Sequence, residues 1–401
     1  MGKFSVNSEI GKLNTVLIHE PGDELLHLTP DWLDDLLFDD IPWLEKAKEE
    51  HQAFQQTLKN EGVEVIELID LVVDSLYNEN IKENFLNEFL YESKVMDEKL
   101  QRKIKKYLLS LPLKTMVSKT MAGILKSDLK SYPKTRLKDY IKTYPFITDP
   151  MPNLYFTRDP FTIIHQTISI HNMYKNARKR ESLYAKYIYT YHKRFQHLKQ
   201  SYSRDELYAL EGGDILNINN KLLLIGISER TESEAIEKLA INLFDKTNIN
   251  LVLAVILPKK RTFMHLDTVL TQVDIDKFLI HPDFLKELNI YQLNRSTKGI
   301  KIKENKKTLK QSLSEHLSLK VKMIACGGTN LLSADREQWN DGANVFAVKP
   351  GVVIAYERND LTNKKLEQHG IKVIRIPSSE LSRGRGGPRC MTMPLDRDIF
   401  K

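Results

Sequence analysis

The sequence predicts an α/β fold of repeated strand–turn–strand–helix units, interrupted by an all-helical insert. Three observations carry this. One unit reads Glu211-Gly212-Gly213-Asp214-Ile215-Leu216, a turn at Asn219-Asn220, a strand from Leu222 to Ile225, then Glu229-Arg230 and a helix from Thr231. A second reads Cys326-Gly327-Gly328-Thr329-Asn330, Val345 to Val348, a turn at Pro350-Gly351, a strand from Val352 to Tyr356, then Glu357-Arg358 and a helix from Leu361 to His369, stopped by Gly370. Units of this size, repeated, point to a propeller or similar array. Third, residues 75–144 contain one glycine and are rich in Lys, Glu, Leu and Asn. Phe85, Phe89 and Leu90, then Ile104, Tyr107 and Leu108, recur there at helical spacing.

The remaining elements follow in order. Val16-Leu17-Ile18-His19 is a short strand ended by Pro21-Gly22. Thr29-Pro30-Asp31 is a helix start, and a helix is expected from Leu44 to Leu58, stopped at Asn60-Glu61-Gly62. Val63 to Ile69 reads as a strand. After Asp149-Pro150, the run Asn153 to Pro160 leads into an apolar strand, Phe161 to Ile164. A basic helical stretch follows, carrying Arg178, Lys179, Arg180, Lys186, Lys193 and Arg194 among tyrosines. Such interleaving suits nucleic acid, but an amphipathic helix with a solvated basic face explains it more simply. Leu251 to Ile256 is a buried-type strand, and Lys301 to Lys307 reads as a charged loop.

Composition bounds the function. A chain of 401 residues, 41% hydrophobic, can bury a large core. The net charge of +7 is a small excess, 60 basic against 53 acidic residues, and does not by itself imply nucleic acid. No apolar run is long enough to span a bilayer, and Met1 to Val6 lacks a signal-peptide apolar region, so no leader is expected. Two cysteines do not make a disulfide framework. A protein of a reducing compartment with a usable free thiol is expected.

The chemistry centres on Ser382-Arg383-Gly384-Arg385-Gly386-Gly387-Pro388-Arg389-Cys390, three glycines and three arginines before one cysteine. Nearby guanidinium groups favour a nucleophilic thiolate, so a reactive cysteine in an electropositive loop is expected. A basic tail with an incidental thiol is the plainer alternative, but apolar residues flank the loop on both sides. Asp159, Glu211, Asp214, His265 and Asp267 each sit beside an apolar strand-like run, where a carboxylate or imidazole needs a reason. Cys390 with His265 suggests nucleophile and proton carrier. Metal ligation fits less well, because there is no cysteine pair at zinc spacing and no H-E-x-x-H. The serine-hydrolase elbow and the Walker A loop are also missing. Cys326 follows the apolar run Val321 to Ala325 and is expected to be buried and inert. Several carboxylates beside a thiol suit a planar cation with several N–H donors, and arginines near the same motifs suit a carboxylate at its other end.

Four segments, Asn153-Leu154-Tyr155-Phe156-Thr157-Arg158-Asp159, Glu211-Gly212-Gly213-Asp214, Met264-His265-Leu266-Asp267 and Ser382 to Cys390, resemble those of arginine deiminases, and the similarity runs over nearly the whole chain. The resemblance implies a pentein fold, a five-bladed ββαβ propeller (residues 1–74 and 147–401) with an inserted helical domain (75–146). It implies hydrolysis of L-arginine to L-citrulline and ammonia, the first step of arginine catabolism, in a cytoplasmic homo-oligomer, with no metal or organic cofactor and no nucleic-acid or membrane partner. By motif, Cys390 would attack the guanidinium carbon and His265 would be general acid and base. Asp159 and Asp267 would hold the guanidinium nitrogens, and Glu211 would contact the guanidinium and help keep His265 charged. Arg178, Arg230 and Arg385 would bind the substrate carboxylate, with Asn153 and Phe156 lining the pocket. Pro388-Arg389 stands where many members carry Gly-His. Agmatine, which lacks a carboxylate, fits three arginines poorly. A non-catalytic binding protein on the same scaffold is the alternative from another class.

Overall fold

The computed structural model describes residues 4–132, 134, 137, 140, 144–285, 288–297 and 299–399. Residues 1–3, on which the no-leader expectation partly rests, and part of the expected 75–146 insert lie outside the described residues.

Among the described residues one three-strand pattern occurs five times: an antiparallel pair, one strand of which pairs in parallel with a third. It joins Phe161–Ile164, Thr167–Ile170 and Lys199–Tyr202. It joins Ile215–Asn217, Leu222–Ile227 and Leu251–Ile256, then Leu270–Gln272, Lys277–Ile280 and Lys322–Ala325. It recurs in Phe346–Lys349, Val352–Tyr356 and Lys372–Ile376. The fifth copy closes N- to C-terminus, pairing Met393–Arg397 with Leu13–Ile18 and that strand with Glu64–Glu67. A parallel pair needs a crossover. Helices supply it: Leu44–Asn60, Glu181–Tyr191, Ser233–Lys246 and Asp360–Gln368. In the remaining copy the crossover holds a hairpin and the helix Leu309–Leu317.

That hairpin corrects one expectation. Lys301 to Lys307 is not a loop: Gly299–Asn305 is a strand, paired residue by residue with Ile290–Ser296. Its lysines stand on an exposed sheet edge, where charge discourages pairing with other chains. The strand expected from Val63 to Ile69 also ends early, at Glu67. Leu68, Leu71, Val72 and Ser75 are the buried face of a helix, Leu68–Ser75. Their i, i+3, i+4, i+7 spacing overrides the strand propensity of a short apolar run.

Three more helices follow, Glu79–Glu92, Glu98–Leu109 and Leu113–Ala122. Asn78 and Asp97 cap the first two, their side-chain oxygens accepting the N–H of Ile81 and Leu100 at 2.9 and 2.7 Å. Phe85, Phe89, Ile104, Leu108 and Met116 share one apolar core with Ile163, Ile168, Tyr184 and Ile188. The helical segment is therefore packed on the sheet-bearing part, not tethered beside it. The basic stretch is largely consumed in the same contact. Lys186 pairs with Glu88 at 2.6 Å and Arg194 with Glu64 at 2.8 Å, while Arg178 and Arg180 are buried. The solvated basic face expected there is thus mostly paired. Among the described residues no helix is long and apolar enough to cross a membrane.

Candidate functional site

Four irregular segments, each next to a strand, bring the expected residues together. Asp159 follows the short turn Pro152–Tyr155, and Glu211 opens the turn Gly212–Asp214. His265 precedes the turn Leu266–Thr268, and Cys390 ends the loop after Leu381–Gly384. The backbone of Gly212 donates to the Asp159 carbonyl at 3.1 Å, and Arg158 N–H donates to the Cys390 carbonyl at 3.1 Å. Two glycines are required by contact. A Cβ on Gly213 would lie 2.7 Å from His265 Nδ1, and one on Gly386 would lie 2.2 Å from the Phe156 ring. Only a residue without a side chain lets the backbone approach so closely.

Cys390, His265 and Asp159 face a small cavity of about 40 Å³, with Asn153 and Phe156 on its wall. Arg178, Arg230 and Arg385 also line it. Glu211 sits behind His265, and Asp267 beside Cys390. Leu37, Arg230, Met264 and Arg385 also line a wider cleft of about 720 Å³. All ten expected site residues therefore lie at or directly behind one cavity.

His265 is the centre of an ionic cluster. Its Nε2 is 2.8 Å from Glu211 Oε2 and its Nδ1 is 3.9 Å from Asp159 Oδ1. Burial pulls its pKa down, but the Asp159 charge, the Glu211 hydrogen bond and the charges of Asp214 and Glu211 outweigh it, and the pKa rises to about 9. The imidazolium is the resting form at neutral pH. Burial works against the Asp159 carboxylate too, yet His265, Arg178 and Arg230 hold it at about 2. Glu211 is likewise lowered: burial is overcome by the hydrogen bond to His265 and the charges of Arg230, His265 and Arg178. Asp214 is different. Burial raises it to about 6, and its oxygens bond Ser228 Oγ at 2.6 Å and Leu266 N at 2.9 Å. It positions the turn that carries His265.

Asp159, Glu211 and His265 place ligand atoms within 4.8 Å of one another, which raises the question of a metal ion. Arg178 lies 2.6 Å from Asp159 and 4.0 Å from Glu211, and Arg230 lies 3.9 Å from Glu211. The carboxylates already face three cations, counting His265. A metal ion would add to that charge, so the donor set does not favour one.

The surroundings of Cys390 also differ from expectation. The loop is not electropositive around the sulfur, because its arginines are engaged. Arg383 pairs with Asp40 and Glu380. Arg385 lies over the Trp339 ring, 3.3 Å from its centroid. Arg389 turns inward to Asp267 Oδ2 at 2.8 Å and Glu9 Oε2 at 3.1 Å. Burial pushes the Cys390 thiol well up, and Asp267, Asp159 and Asp341 push the same way against Arg389. At neutral pH Cys390 is therefore a thiol, not a thiolate. Its Sγ is 3.7 Å from Asp267 Oδ2. Cys326 is buried as expected, raised to about 12 chiefly by burial, with Thr362 Oγ1 at 3.3 Å.

Arg178 is already bound on several sides. Besides Asp159, it donates to Glu181 from Nε at 3.0 Å and Nη2 at 2.8 Å, and to the carbonyls of Asn153 and Phe156 at 3.4 Å. Arg230 is looser: its Nε is buried without a hydrogen-bond partner. Arg385 has φ of +64°, an unusual region for a non-glycine residue that costs about 1–2 kcal/mol. That backbone geometry is set in the loop, and its side chain reaches both cavities.

Sequence reasoning missed Glu9, Glu181 and Asn344. Asn344 joins two site segments, its Oδ1 accepting Cys390 N–H at 3.0 Å and its Nδ2 donating to the Asp267 carbonyl at 3.0 Å. Its signal, a polar run Asp341-Gly342-Ala343-Asn344 directly before an apolar strand, is the one that marked Asp159. Glu9 had no local signal, since its partners lie hundreds of residues away.

Comparison with known proteins agrees with this geometry. The sequence model of the arginine deiminase family matches residues 34–397. The chain is 48% identical over 401 residues to the arginine deiminase of Streptococcus agalactiae serotype V, covering 98% of both chains. It is 48% identical over 405 residues to that of Clostridium perfringens, again covering 98% of both. A dimethylarginine dimethylaminohydrolase adduct with S-methyl-L-thiocitrulline superposes with a TM-score of 0.54 at 16% identity, covering 95% of this chain and 99% of the other. An amidinotransferase of Microseira wollei, from saxitoxin biosynthesis, superposes with a TM-score of 0.57 at 14% identity, covering 99% of both. These two structures establish the shared mixed α/β pentein fold and nothing finer. With the match running through every segment that builds the cavity, the chain belongs to the arginine deiminase family.

Proposed function

We propose that this chain hydrolyses L-arginine to L-citrulline and ammonia at the cavity containing Cys390. One observation carries the reading: a buried thiol and an imidazolium share a cavity edged by carboxylates, in a chain of this family. Asp159 and Asp267 take the guanidinium N–H groups. A cation about 4 Å from the sulfur, at an effective dielectric near 20, favours thiolate by roughly 4 kcal/mol. That offsets the carboxylates that now keep the thiol protonated, so the substrate ionises its own attacker. As the cation docks, the Cys390 thiol loses its proton to water, and the sulfur adds to the guanidinium carbon, one C–N π pair moving onto nitrogen. His265 gives its proton to one nitrogen, which leaves as ammonia, and an S-alkylthiouronium remains on Cys390. Neutral His265 then takes a proton from water as its oxygen bonds to the same carbon. The C–S bond breaks, the electron pair returns to sulfur, the proton of the added hydroxyl passes to that sulfur, and citrulline is released. Glu211 holds His265 in place and charged for the first step.

Arg230, with its unpaired Nε, and Arg385, which borders both cavities, are suited to the substrate carboxylate. Arg178 is already gripped by Asp159 and Glu181, so its part in carboxylate binding rests on the family motif. Asn153 and Phe156 shape the wall. The cavity of about 40 Å³ has room for a few waters, not for an amino acid. Substrate must displace lining groups, and Leu37 and Arg385 stand between it and the wider cleft. Residues 1–74 and 147–401 form a five-bladed arrangement in this reading, supported by the fivefold strand pattern, with 75–146 as the insert. The protein in the same reading is a cytoplasmic homo-oligomer that uses no cofactor, nucleic acid or membrane.

Incubation of the purified protein with arginine, agmatine and methylated arginines tests the reading. Citrulline and ammonia from arginine, in excess over products from the others, is the expected result. Preference for agmatine or for a methylated arginine would overturn the substrate assignment.

A further inference from the structure

Arg389 is almost fully buried and is held from three directions. Nη1 reaches Asp267 Oδ2 at 2.8 Å, Nε reaches Glu9 Oε2 at 3.1 Å, and Nη2 donates to the Ile215 carbonyl at 2.8 Å. Glu9 is anchored in turn, its Oε1 accepting Asn217 N–H at 3.0 Å. The oxygen that Arg389 holds is the one 3.7 Å from the Cys390 sulfur. The other, Asp267 Oδ1, is buried and has no hydrogen-bond partner.

We propose that Arg389, clamped by Glu9, is a positioning residue for the reaction: it fixes the Asp267 carboxylate by one oxygen and so leaves the other free for the substrate guanidinium. The inference rests on the role given to Asp267 above. Three guanidinium groups share this buried region, since Arg158 Nε donates to the Arg389 carbonyl at 3.3 Å and Arg397 bonds the carbonyls of Gly11 and Ala347 at 2.7 Å. Burial opposes the Glu9 carboxylate, but Arg389, Arg158 and Arg397 together hold its pKa low. Glu9 is thus the counter-charge for this group. Without it, Arg389 loses its second anchor and the cations turn to Asp267, whose free oxygen is then taken. A short N-terminal segment, remote in sequence from the nucleophile, thereby sets the geometry of the guanidinium grip. The charged groups that act most on the sulfur are Asp267, Asp159, Asp341 and Arg389, with His265, Arg178, Arg230 and Arg385 on the same cavity. Of Asp267, Asp159, Asp341 and Arg389, it is Arg389 whose charge helps ionisation.

The test compares wild type with Glu9→Gln, Arg389→Gln and Arg389→Lys. It measures kcat and KM for arginine, and the pH dependence of Cys390 alkylation by iodoacetamide, read by peptide mass spectrometry so that Cys326 is scored apart. Arg389→Gln is expected to lose about 100-fold in kcat/KM, as a misplaced binding group does, and to shift alkylation to higher pH. Arg389→Lys is expected to keep the alkylation profile but not KM, because an ammonium restores charge without the fork. Glu9→Gln, with Arg389 intact, is expected to raise KM. Folded variants with wild-type KM and a wild-type alkylation profile would show a merely structural ion pair and overturn the proposal. If Arg389→Gln does not fold, Glu9→Gln decides by the same readouts. Wild type that makes no citrulline would refute the functional reading instead, and the alkylation profile, which needs no substrate, would still report on Arg389.

Discussion

Replacing Glu211 with glutamine should move the alkaline limb of activity to lower pH. The raised pKa of His265, from 6.5 to about 9, corresponds to about 3 kcal/mol of preference for the imidazolium. Asp159 and Glu211 supply most of it, Glu211 from 2.8 Å. Glutamine keeps a hydrogen-bond partner and removes the charge, so the half-titration of His265 should fall by about 1–2 pH units. The sign for stability follows. A group whose pKa is raised on folding stabilises fully below its unfolded value and loses that contribution as pH rises through the folded value. Wild type should therefore lose stability between about pH 6.5 and pH 9 through His265, and Glu211→Gln should lose it earlier. The assay is kcat/KM against pH with arginine, which reports the free enzyme, beside urea unfolding at neutral and alkaline pH. The limb belongs to the coupled Asp159–His265–Glu211 group, so its apparent position is what is compared. An alkaline limb that stays put in a folded Glu211→Gln variant would falsify the claim that Glu211 keeps His265 charged.

Other outcomes are expected. Cys390→Ser should abolish citrulline formation with thermal stability nearly unchanged; substantial turnover would reject the sulfur as nucleophile. Arg385→Ala should raise KM for arginine by about tenfold or more but affect agmatine less, and equal losses for both would remove Arg385 from carboxylate recognition. Gly213→Ala should lower kcat sharply, since the added methyl meets His265 Nδ1 at 2.7 Å; a wild-type pH–rate profile would show that the imidazole is not displaced. A non-hydrolysed guanidino analogue at 100 times its Kd should stabilise the protein by about 2.7 kcal/mol, read as a rise in Tm, and its absence despite measured binding would contradict coupling of the site to folding.

Much of the site was legible because its residues break local pattern. Asp159, Glu211, His265 and Asp267 each interrupt or border an apolar run, and such a residue needs a partner or a task. The glycines of Gly212-Gly213 and Gly386 were equally visible, and the structure supplies their reason in contacts with Arg158, His265 and Phe156. Errors came where one signal had two readings. Leu68-Ile69 fits a strand or a helix over two residues, and only the spacing out to Ser75 decides. Lys301 to Lys307 has the charge of a loop, yet Lys301 to Asn305 pairs residue by residue across a hairpin.

The sequence by itself determined the strand–helix repeats, the helical segment, the family, and which side chains had to meet, because apolar periodicity and turn chemistry act over a few residues and a motif is a local record. Tertiary structure alone decided the electrostatics of the meeting. Three arginines near a cysteine in sequence suggested a thiolate. In space Arg383 answers Asp40 and Glu380, Arg385 lies on Trp339, and Arg389 answers Asp267 and Glu9. Sequence proximity gives no direction to a long side chain, whereas a Coulomb interaction depends on distance and surroundings, and those are set only when residues hundreds of positions apart are packed together.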